Sequence, residues 1–388
     1  MPQAVIVSAV RTPVGRAPKG ALSTTRPDDL AALVLGKALE RIPALSRAEL
    51  DDVIFGCAQP EGAQGWDVAR WALLRAGLPV ELPGLSINRL CASGLEAIAL
   101  ANLRIRAGGD RAIVAGGVES MSQLPYTGQK PCPNPWLAEH YPDALLSMGH
   151  TAERVARRYQ ISREAQDAFA LLSHQKAVAA QRDGCFAGEL IPVTVTANAG
   201  AAAMTERVFA ADEGPRRDTS AEALAKLKPA FDAEGSVTAG NASQISDGAA
   251  ALVLMDGGRA RTLGLRPLGR IVAYAVTGCL PEEMGLGPIT AIPKALGRAG
   301  LTLAEIGLIE LNEAFAATTL AVMSALELDP QRINVNGGAI ALGHPLGATG
   351  ARLAVTLLAE MRRRQVRYGM VALCVGGGMG AAAIFELL

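Results

Sequence analysis

The sequence has 388 residues, of which half are hydrophobic, only 4% are aromatic and 42 are glycine. A chain of this length buries a large core and ordinarily forms two domains or one large fused domain. Its 37 basic residues balance its 37 acidic ones. This balance excludes the broad positive field expected of a protein whose main partner is nucleic acid or an anionic membrane.

The six cysteines are scattered along the chain without any CxxC pair. This spacing suits neither a zinc site nor a small disulfide scaffold, and we interpret it as typical of a reducing compartment. No apolar run approaches the roughly 18 residues of a membrane span, and the apolar run Ala4–Val10 has no charged segment before it. We therefore expect a cytoplasmic protein that binds neither a metal ion nor a membrane.

Apolar strands alternate with amphipathic helices along the chain. The pattern predicts a valine-rich strand at Ala4–Ala9, a helix at Asp28–Leu39 and a strand at Asp52–Cys57. This alternation is typical of largely parallel sheets covered by helices. In such sheets, functional sites lie beyond the carboxyl ends of the strands.

Two parts of the chain carry the same order of elements. In the first, Ile87-Asn88 is followed by a turn, a helix and the strand Ala112–Ala115. In the second, Ile333-Asn334 is followed by a glycine-rich turn, a helix and the strand Met370–Val375. Both strands end in glycines. We interpret the two parts as copies of one βα unit, with chance similarity between alanine-rich segments as the alternative.

The segment between the copies differs from both of them. It begins with an extended loop marked by five prolines between residues 125 and 142, and a polar-faced helix is predicted at Glu164–Ala180. An insertion of this size is more often functional than idle, so we expect a lid or binding platform over the site. The predicted organisation is an N-terminal half of the core (1–118), an inserted loop domain (119–244), and the core's completion with its C-terminal half (245–388).

Cys91 stands where a buried strand is predicted to give way to a helix. The first N–H groups of a helix lack internal partners and carry the positive end of its dipole. A cysteine at this place can have a pKa below about 8.5 and react as the thiolate. Cys91 is therefore the candidate nucleophile, although a free cysteine often serves as an inert small hydrophobe.

His344 takes the place in the second repeat that Cys91 takes in the first. Pseudo-twofold packing would bring the two helix starts together, and the imidazole could then take or return the thiol proton. The alternative is a structural histidine. Cys374 ends a strand just before Gly376–Gly378, whose N–H groups suit an oxyanion hole, and its thiol suggests a proton carrier. Asn312 also ends a strand, and its carboxamide could orient water or the imidazole.

Six motifs stand in the order in which one enzyme family carries them. They are Asn88–Gly94, Gly116–Met121, Gly240–Ser243, Asn312–Phe315, Gly343–Pro345 and Cys374–Gly378. From end to end the chain resembles a thiolase. The resemblance implies an α/β fold, the five-layered αβαβα arrangement of two similar βα halves, with an inserted loop domain that receives coenzyme A.

The resemblance also implies catalytic roles. Cys91 would be acylated, and His344 would activate it. With a water held by Asn312, the same histidine would polarise the thioester carbonyl. Cys374 would move a proton to or from the α-carbon of acetyl-CoA. The backbone N–H groups of Cys91 and Gly376 would form a second oxyanion hole.

Coenzyme A is implied as a co-substrate, with no permanently bound cofactor. The resemblance points to Ser243 near its pantetheine arm and to Arg216 near its nucleotide end, with the adjacent Arg217 as the alternative. Met148 and Phe315 are expected in the acyl pocket, unless they are ordinary core residues. The resemblance also implies a homodimer or homotetramer.

The implied activity is thiolytic cleavage of 3-ketoacyl-CoA by coenzyme A, as in fatty acid β-oxidation. Members that make acetoacetyl-CoA often carry a histidine before Met-Gly in the loop domain, whereas here Ser147 precedes Met148 and the histidine is displaced to His150. The segment Asn241–Gly248 also looks more like the degradative members. We therefore expect broad or medium-to-long acyl chains.

Two alternatives stay open. One is an acetyl-CoA acetyltransferase that makes acetoacetyl-CoA from two acetyl-CoA with the same machinery. The other is a non-catalytic thiolase-like carrier of acyl-CoA or lipid, which would be expected to lack one of the reactive residues. A condensing enzyme that depends on a carrier protein is disfavoured by Cys374.

Overall fold

The computed structural model describes residues 3–198 and 204–388. In these ranges the strands are β1 Ala4–Arg11, β2 Gly15–Arg16, β3 Asp52–Gly56, β4 Gly84–Ile87, β5 Ala112–Ser120, β6 Val193–Asn198, β7 Met204–Phe209, β8 Ser246–Asp256, β9 Gly269–Gly278, β10 Leu308–Leu311, β11 Tyr368–Val375 and β12 Met379–Leu387. The helices are α1 Pro27–Glu40, α2 Val68–Arg75, α3 Ser93–Arg106, α4 Pro135–His140, α5 Met148–Arg158, α6 Arg163–Arg182, α7 Ala221–Ala225, α8 Gly257–Thr262, α9 Pro288–Ala299, α10 Ala316–Ala325, α11 Ala339–Leu342 and α12 Leu346–Arg364.

The large sheet consists of two halves that meet along one weak seam. The first half has the order β4-β3-β5-β8-β1, and the second has the order β9-β12-β11-β10. Between them, β1 and β9 share a single residue pair, Ile6 with Gly269. The pairs β3–β4, β3–β5 and β10–β11 are parallel. Each half thus keeps the parallel βα unit that the repeat in the sequence predicts.

Helices α3 and α12 lie between the two halves of the sheet. On β5, Ile113 and Ala115 pack into this central layer, while Val114 faces the opposite layer of α1 and α2. On β11, Val371 faces the central layer, and Met370 faces α9 and α10. Because successive side chains of a strand point to opposite faces, each sheet is buried on both sides. The five layers are therefore αβαβα, and the predicted fold class is confirmed.

The boundaries of the predicted elements agree closely with the observed ones. The strand predicted at Ala4–Ala9 extends to Arg11 as β1, and the helix predicted at Asp28–Leu39 is α1. The helix predicted at Glu164–Ala180 lies within α6. Their strong hydrophobic periodicity explains this agreement.

One local prediction is wrong, because the proline-rich stretch is not extended throughout. The helix α4 begins there with Pro135 in its first turn, where a missing N–H costs nothing. The Asn134 side chain caps this helix by accepting the N–H groups of Trp136 and Leu137 at 2.8 and 3.3 Å. A good N-cap next to proline outweighs the turn tendency of the surrounding residues.

A buried arginine anchors the inserted segment to the core. Arg11 of β1 donates to Glu189 at 2.6 Å and to both oxygens of Asp212 at 2.8 and 3.0 Å. Thr356 of α12 donates to the same Glu189 at 2.9 Å. Paired carboxylates with added hydrogen bonds offset the cost of burying the guanidinium.

Within the described ranges, no helix is both long enough and apolar enough to span a membrane.

The two central helices touch backbone to backbone. A Cβ on Gly94 of α3 would lie 2.8 Å from the carbonyl oxygen of Gly347 and 2.9 Å from the nitrogen of Ala351, both on α12. A Cβ on Gly350 would lie 2.5 Å from the nitrogen of Leu95. Only glycine permits this approach. Its consequence is that the N-terminal ends of α3 and α12 lie side by side.

Replacing Gly94 with alanine is expected to lower both the melting temperature and the activity. The added methyl group would overlap main-chain atoms of α12, and such overpacking typically costs about 1–3 kcal/mol. Gly36→Ala is the matched control, because nothing lies within 4 Å of a Cβ at that helical position. Thermal unfolding followed by circular dichroism compares the two variants. A Gly94 variant as stable as the wild type would contradict the close contact.

Candidate active site

Cys91 lies in a single 3-10 turn, Leu90–Ala92, directly before α3. Leu90 adopts a left-handed φ of 45°, and the Asn88 side chain supports this turn by accepting the Leu90 N–H at 2.7 Å. The backbone N–H groups of Gly376 and of Cys91 itself lie close enough to the sulfur to lower the pKa of its thiol. The two repeats therefore meet at this atom, because Gly376 follows β11 of the second half.

The Cys91 thiol is 9% exposed, and this burial raises its pKa to about 11. The two N–H groups on its sulfur act in the opposite direction and only reduce the shift. The expectation of a lowered pKa at a helix start is therefore wrong for the substrate-free protein, because desolvation outweighs the helix start. Cys91 rests as a thiol and needs a base.

His344 precedes α12 and is 5% exposed. Its Nδ1 lies 2.7 Å from the Thr349 hydroxyl, which donates its own proton to the Pro345 carbonyl at 2.9 Å. The hydroxyl must therefore accept from Nδ1–H, which leaves a lone pair on Nε2. Burial, together with the charge of Arg352, lowers the His344 pKa to about 3. The imidazole is thus neutral and can take a proton at Nε2.

Asn312 comes directly after β10, and its Nδ2 lies 3.4 Å from Nε2 of His344. Its backbone N–H donates to Ala372 of the neighbouring strand at 2.9 Å, so the parallel pair β10–β11 holds it in place. Among the described residues, its side-chain oxygen is buried without a hydrogen-bond partner. Asn312 therefore presents a polar atom beside the basic nitrogen of His344.

Cys374 lies near the end of β11 and is also buried. Burial raises the pKa of its thiol, and a charge on Cys91 would raise it further. Cys374 packs in one apolar cluster with Phe315 and Met148. The Met148 sulfur lies 3.7 Å from the point that a Cβ on Gly376 would occupy. The structure thus brings Met148 and Phe315 to the second thiol.

A cavity of about 550 Å³ lies beside this cluster. Ser243 and Arg216 line it, as do Phe231 and Ala242, whereas Arg217 is not among its lining residues. Ala242 also packs against the cluster of Cys374. A larger cavity, of about 650 Å³, lies against α1 and contains none of the predicted site residues.

Several side chains at the site are not among those that the sequence predicts. Thr349 stands five residues after His344 in the same glycine-rich motif, and that spacing is the signal that could have found it. Phe231 lies edge-on to Phe315 with ring centroids 6.1 Å apart. The displaced His150 accepts from or donates to Ser147 at 2.7 Å and lies against Phe231. No local pattern marks these aromatic contacts, which arise only in the folded protein.

A thiol that can be acylated, a neutral imidazole that can take its proton, and N–H groups that can hold an oxyanion together meet the needs of thioester chemistry. On this αβαβα core, they define a class of cysteine-dependent acyltransferases.

Residues 4–258 match the thiolase N-terminal domain, and residues 265–387 match the thiolase C-terminal domain. The chain belongs to the thiolase family. It is 51% identical over 391 residues to the 3-ketoacyl-CoA thiolase of Bacillus subtilis (strain 168) and 46% identical over 390 residues to that of Escherichia fergusonii, with 100% of each chain covered. The crystal structure of the Bacillus anthracis acetyl-CoA acetyltransferase matches with a TM-score of 0.91 and 43% identity, covering 100% of this chain and 99% of that one.

Thr349→Val is expected to slow acylation of Cys91 by about tenfold or more, because the Nδ1 proton loses its acceptor and the wrong tautomer becomes populated. Thr349→Ser keeps the hydroxyl and is the matched control. Rapid quenching and mass spectrometry, with acetyl-CoA across a range of pH, measure the rate. Equal rates for the valine and serine variants would contradict the assigned tautomer.

Proposed function

We propose that this protein is a 3-ketoacyl-CoA thiolase, which uses coenzyme A to cleave 3-ketoacyl-CoA into acetyl-CoA and a shortened acyl-CoA. The observation that carries the proposal is the pair of buried thiols, Cys91 and Cys374, together with a cavity lined by Ser243 and Arg216. Ala242 of the cavity lining packs against the Cys374 cluster. One thiol can carry the acyl group while the other handles the proton on carbon. The full-length similarity to 3-ketoacyl-CoA thiolases supports the same activity.

The first half of the reaction forms an acyl-enzyme. His344 Nε2 takes the proton of Cys91, whose sulfur attacks the 3-keto carbon of the substrate. The bond between the 2- and 3-carbons then breaks, and its electron pair goes to the 2-carbon as the enolate of acetyl-CoA. Cys374 gives its proton to that carbon. The acyl group remains on Cys91.

The second half releases the shortened product. The thiol of coenzyme A gives its proton to the Cys374 thiolate and attacks the acyl carbon. Cys91 leaves as a thiolate and recovers its proton from His344, so that every group returns to its resting form. The N–H groups of Cys91 and Gly376 hold the oxyanion of the tetrahedral intermediate, and protonated His344 with Asn312 faces the enolate oxygen. A single oxyanion donor is typically worth about 100- to 1,000-fold in rate.

We assign the cavity to coenzyme A, with Ser243 near its pantetheine arm and Arg216 near its phosphates. Arg217 is not assigned, since it does not line the cavity. Arg16 and Lys19, which the sequence does not single out, add positive charge to the rim. Most of the residues that line the cavity lie in the proposed loop domain, 119–244.

We favour medium-to-long 3-ketoacyl chains. Ser147 stands where a histidine is common in members that make acetoacetyl-CoA, and His150 lies instead against Phe231. The alternative function is the formation of acetoacetyl-CoA from two acetyl-CoA, which uses the same residues in reverse. The match to an acetyl-CoA acetyltransferase structure supports this alternative.

We also propose a homodimer or homotetramer acting in the cytoplasm. β4 is the last strand of the sheet order, and its outer backbone groups form an open edge. Exposed apolar side chains lie on or near this edge, including Leu85 and Trp71, and Trp66 is 88% exposed. Such a patch is typical of a protein–protein contact.

The chain-length preference tests the proposed activity. Coenzyme A-dependent thiolysis is measured with acetoacetyl-CoA and, in parallel, with a long 3-ketoacyl-CoA. Efficient cleavage of the long substrate is expected. Reaction with acetoacetyl-CoA alone would instead establish an acetyl-CoA acetyltransferase, and turnover of neither substrate would indicate the acyl-CoA carrier.

Cys374→Ser is expected to leave Cys91 open to acylation while abolishing α-proton exchange from acetyl-CoA, because a serine hydroxyl is a far weaker acid–base group than a thiol. Exchange is followed by deuterium uptake into acetyl-CoA. Cys185→Ser is the matched control, since Cys185 is a half-buried cysteine that packs in a different cluster from Cys374. Retained exchange in the Cys374 variant would rule out proton transfer between Cys374 and the α-carbon.

A further inference from the structure

Glu119, near the end of β5, is a fully buried carboxylate next to the site. One oxygen accepts the N–H groups of Ala58 and Gly347, each at 2.8 Å. The other accepts the N–H of Gln59 at 3.2 Å and the side-chain amide of Gln64. Thus a single side chain holds backbone from both repeats.

The partners of Glu119 are all donors. Four are N–H groups, and the fifth is the Cys57 thiol at 3.9 Å. An ionised carboxylate only accepts hydrogen bonds, so this set fits the charged form and would leave the proton of an acid without an acceptor. The N-terminal end of α12 adds the favourable end of a helix dipole. Burial raises the pKa of Glu119, and the four N–H donors act against this shift by favouring the carboxylate.

The two backbone segments that Glu119 binds adjoin the reactive residues. Gly347 stands three residues after His344, in the first turn of α12. Ala58 packs in one cluster with Cys91, and its carbonyl accepts the side chain of Asn88 at 3.0 Å. Both links are short and rigid. Displacing the carboxylate would move the two helix starts relative to each other.

The packing around the contact between Glu119 and Gly347 is tight. A Cβ on Gly347 would lie 2.8 Å from the bound carboxylate oxygen and 2.7 Å from the Cα of Cys57. A Cβ on Gly117, two residues before Glu119, would lie 2.1 Å from the Gly347 carbonyl oxygen. The chain thus uses glycine on both sides of the bond between Glu119 and α12. Such tight packing holds Glu119 and α12 at a fixed distance from each other.

We propose that Glu119 is a positioning residue that sets the distance between Cys91 and His344 by binding Ala58 and Gly347 with one carboxylate oxygen. The inference rests on the roles proposed above for Cys91 and His344. Glu119 touches neither substrate nor reacting atoms and acts through the two segments that it joins.

The charge of Glu119 also acts on Cys91. It is one of the causes that raise the pKa of the Cys91 thiol, after burial. Cys374 and Tyr126 also interact electrostatically with Cys91, but burial raises the pKa of both, so they are uncharged at neutral pH. Glu119 is therefore a charge whose removal Cys91 can report.

Glu119→Gln tests the proposal in the full-length protein. Thiolysis is expected to fall about 100-fold in kcat, because a shift of about 1 Å between reacting groups costs that much. The KM for coenzyme A should stay within about threefold, since other residues line the cavity. The pH profile of Cys91 alkylation by iodoacetamide should move by about half a unit to lower pH, because a negative charge near the thiol is lost.

Asp52→Asn is the matched control. Asp52 is a buried carboxylate at the opposite end of β3, where it accepts the Val53 N–H at 2.8 Å and pairs with Arg104. The Asp52→Asn variant should be less stable than the wild type, with an unchanged pH profile of Cys91 alkylation. Wild-type kcat in the Glu119 variant, or a loss of kcat with an unmoved alkylation profile, would overturn the proposal.

Should Glu119→Gln fail to fold, Gln64→Met replaces it. This variant keeps the side-chain volume and removes one of the donors to the carboxylate, together with the hydrogen bonds of Gln64 to Gln59 and Ser120. A fall in kcat of about threefold to tenfold, with KM unchanged, is expected; wild-type kcat would overturn the proposal. A wild-type protein without any thiolysis would reject the proposed function instead, and the alkylation profile would still test the placement of Glu119.

Discussion

The site depends on the close approach of the two central helices. Gly94 on α3 and Gly350 on α12 let the backbones touch, and no side chain other than hydrogen fits at either place. Because Cys91 lies directly before α3 and His344 directly before α12, this contact brings the two residues to neighbouring places, and Cys91 packs in one cluster with Leu346. The outer layers and the anchoring of the insertion by Arg11 keep the helices there.

Burial then sets the chemical state of this pair. It raises the pKa of Cys91 to about 11 and lowers that of His344 to about 3, so the resting site holds a neutral thiol and a neutral imidazole. Proton transfer between them is unfavourable until an electrophile takes up the sulfur's charge. In the proposed mechanism, the N–H groups of Gly376 and Cys91 then hold the charge as an oxyanion. Such a site does not expose a reactive thiolate to other electrophiles.

Much of this architecture could be predicted from the sequence, because it follows from the repeat. Equivalent positions for Cys91 and His344 before two helices implied that a pseudo-twofold axis would join them. The state of the thiol could not be predicted, since desolvation depends on all the surrounding layers. The role of Thr349 needed the direction of its hydroxyl proton, and the four N–H partners of Glu119 come from segments far apart in the chain. The proposed preference for Arg216 over Arg217 rests on the lining of the cavity, which the sequence does not show.

The central claim is that Cys91 carries the acyl group. The most direct measurement is to mix the protein with acetyl-CoA, quench it in acid within milliseconds to seconds, digest it, and locate the acetyl group by mass spectrometry. The account predicts one acetyl group per reacting chain, on the peptide that contains Cys91, and its loss when coenzyme A is added before the quench. An acetyl group on Cys374, or none on either cysteine, would contradict the account.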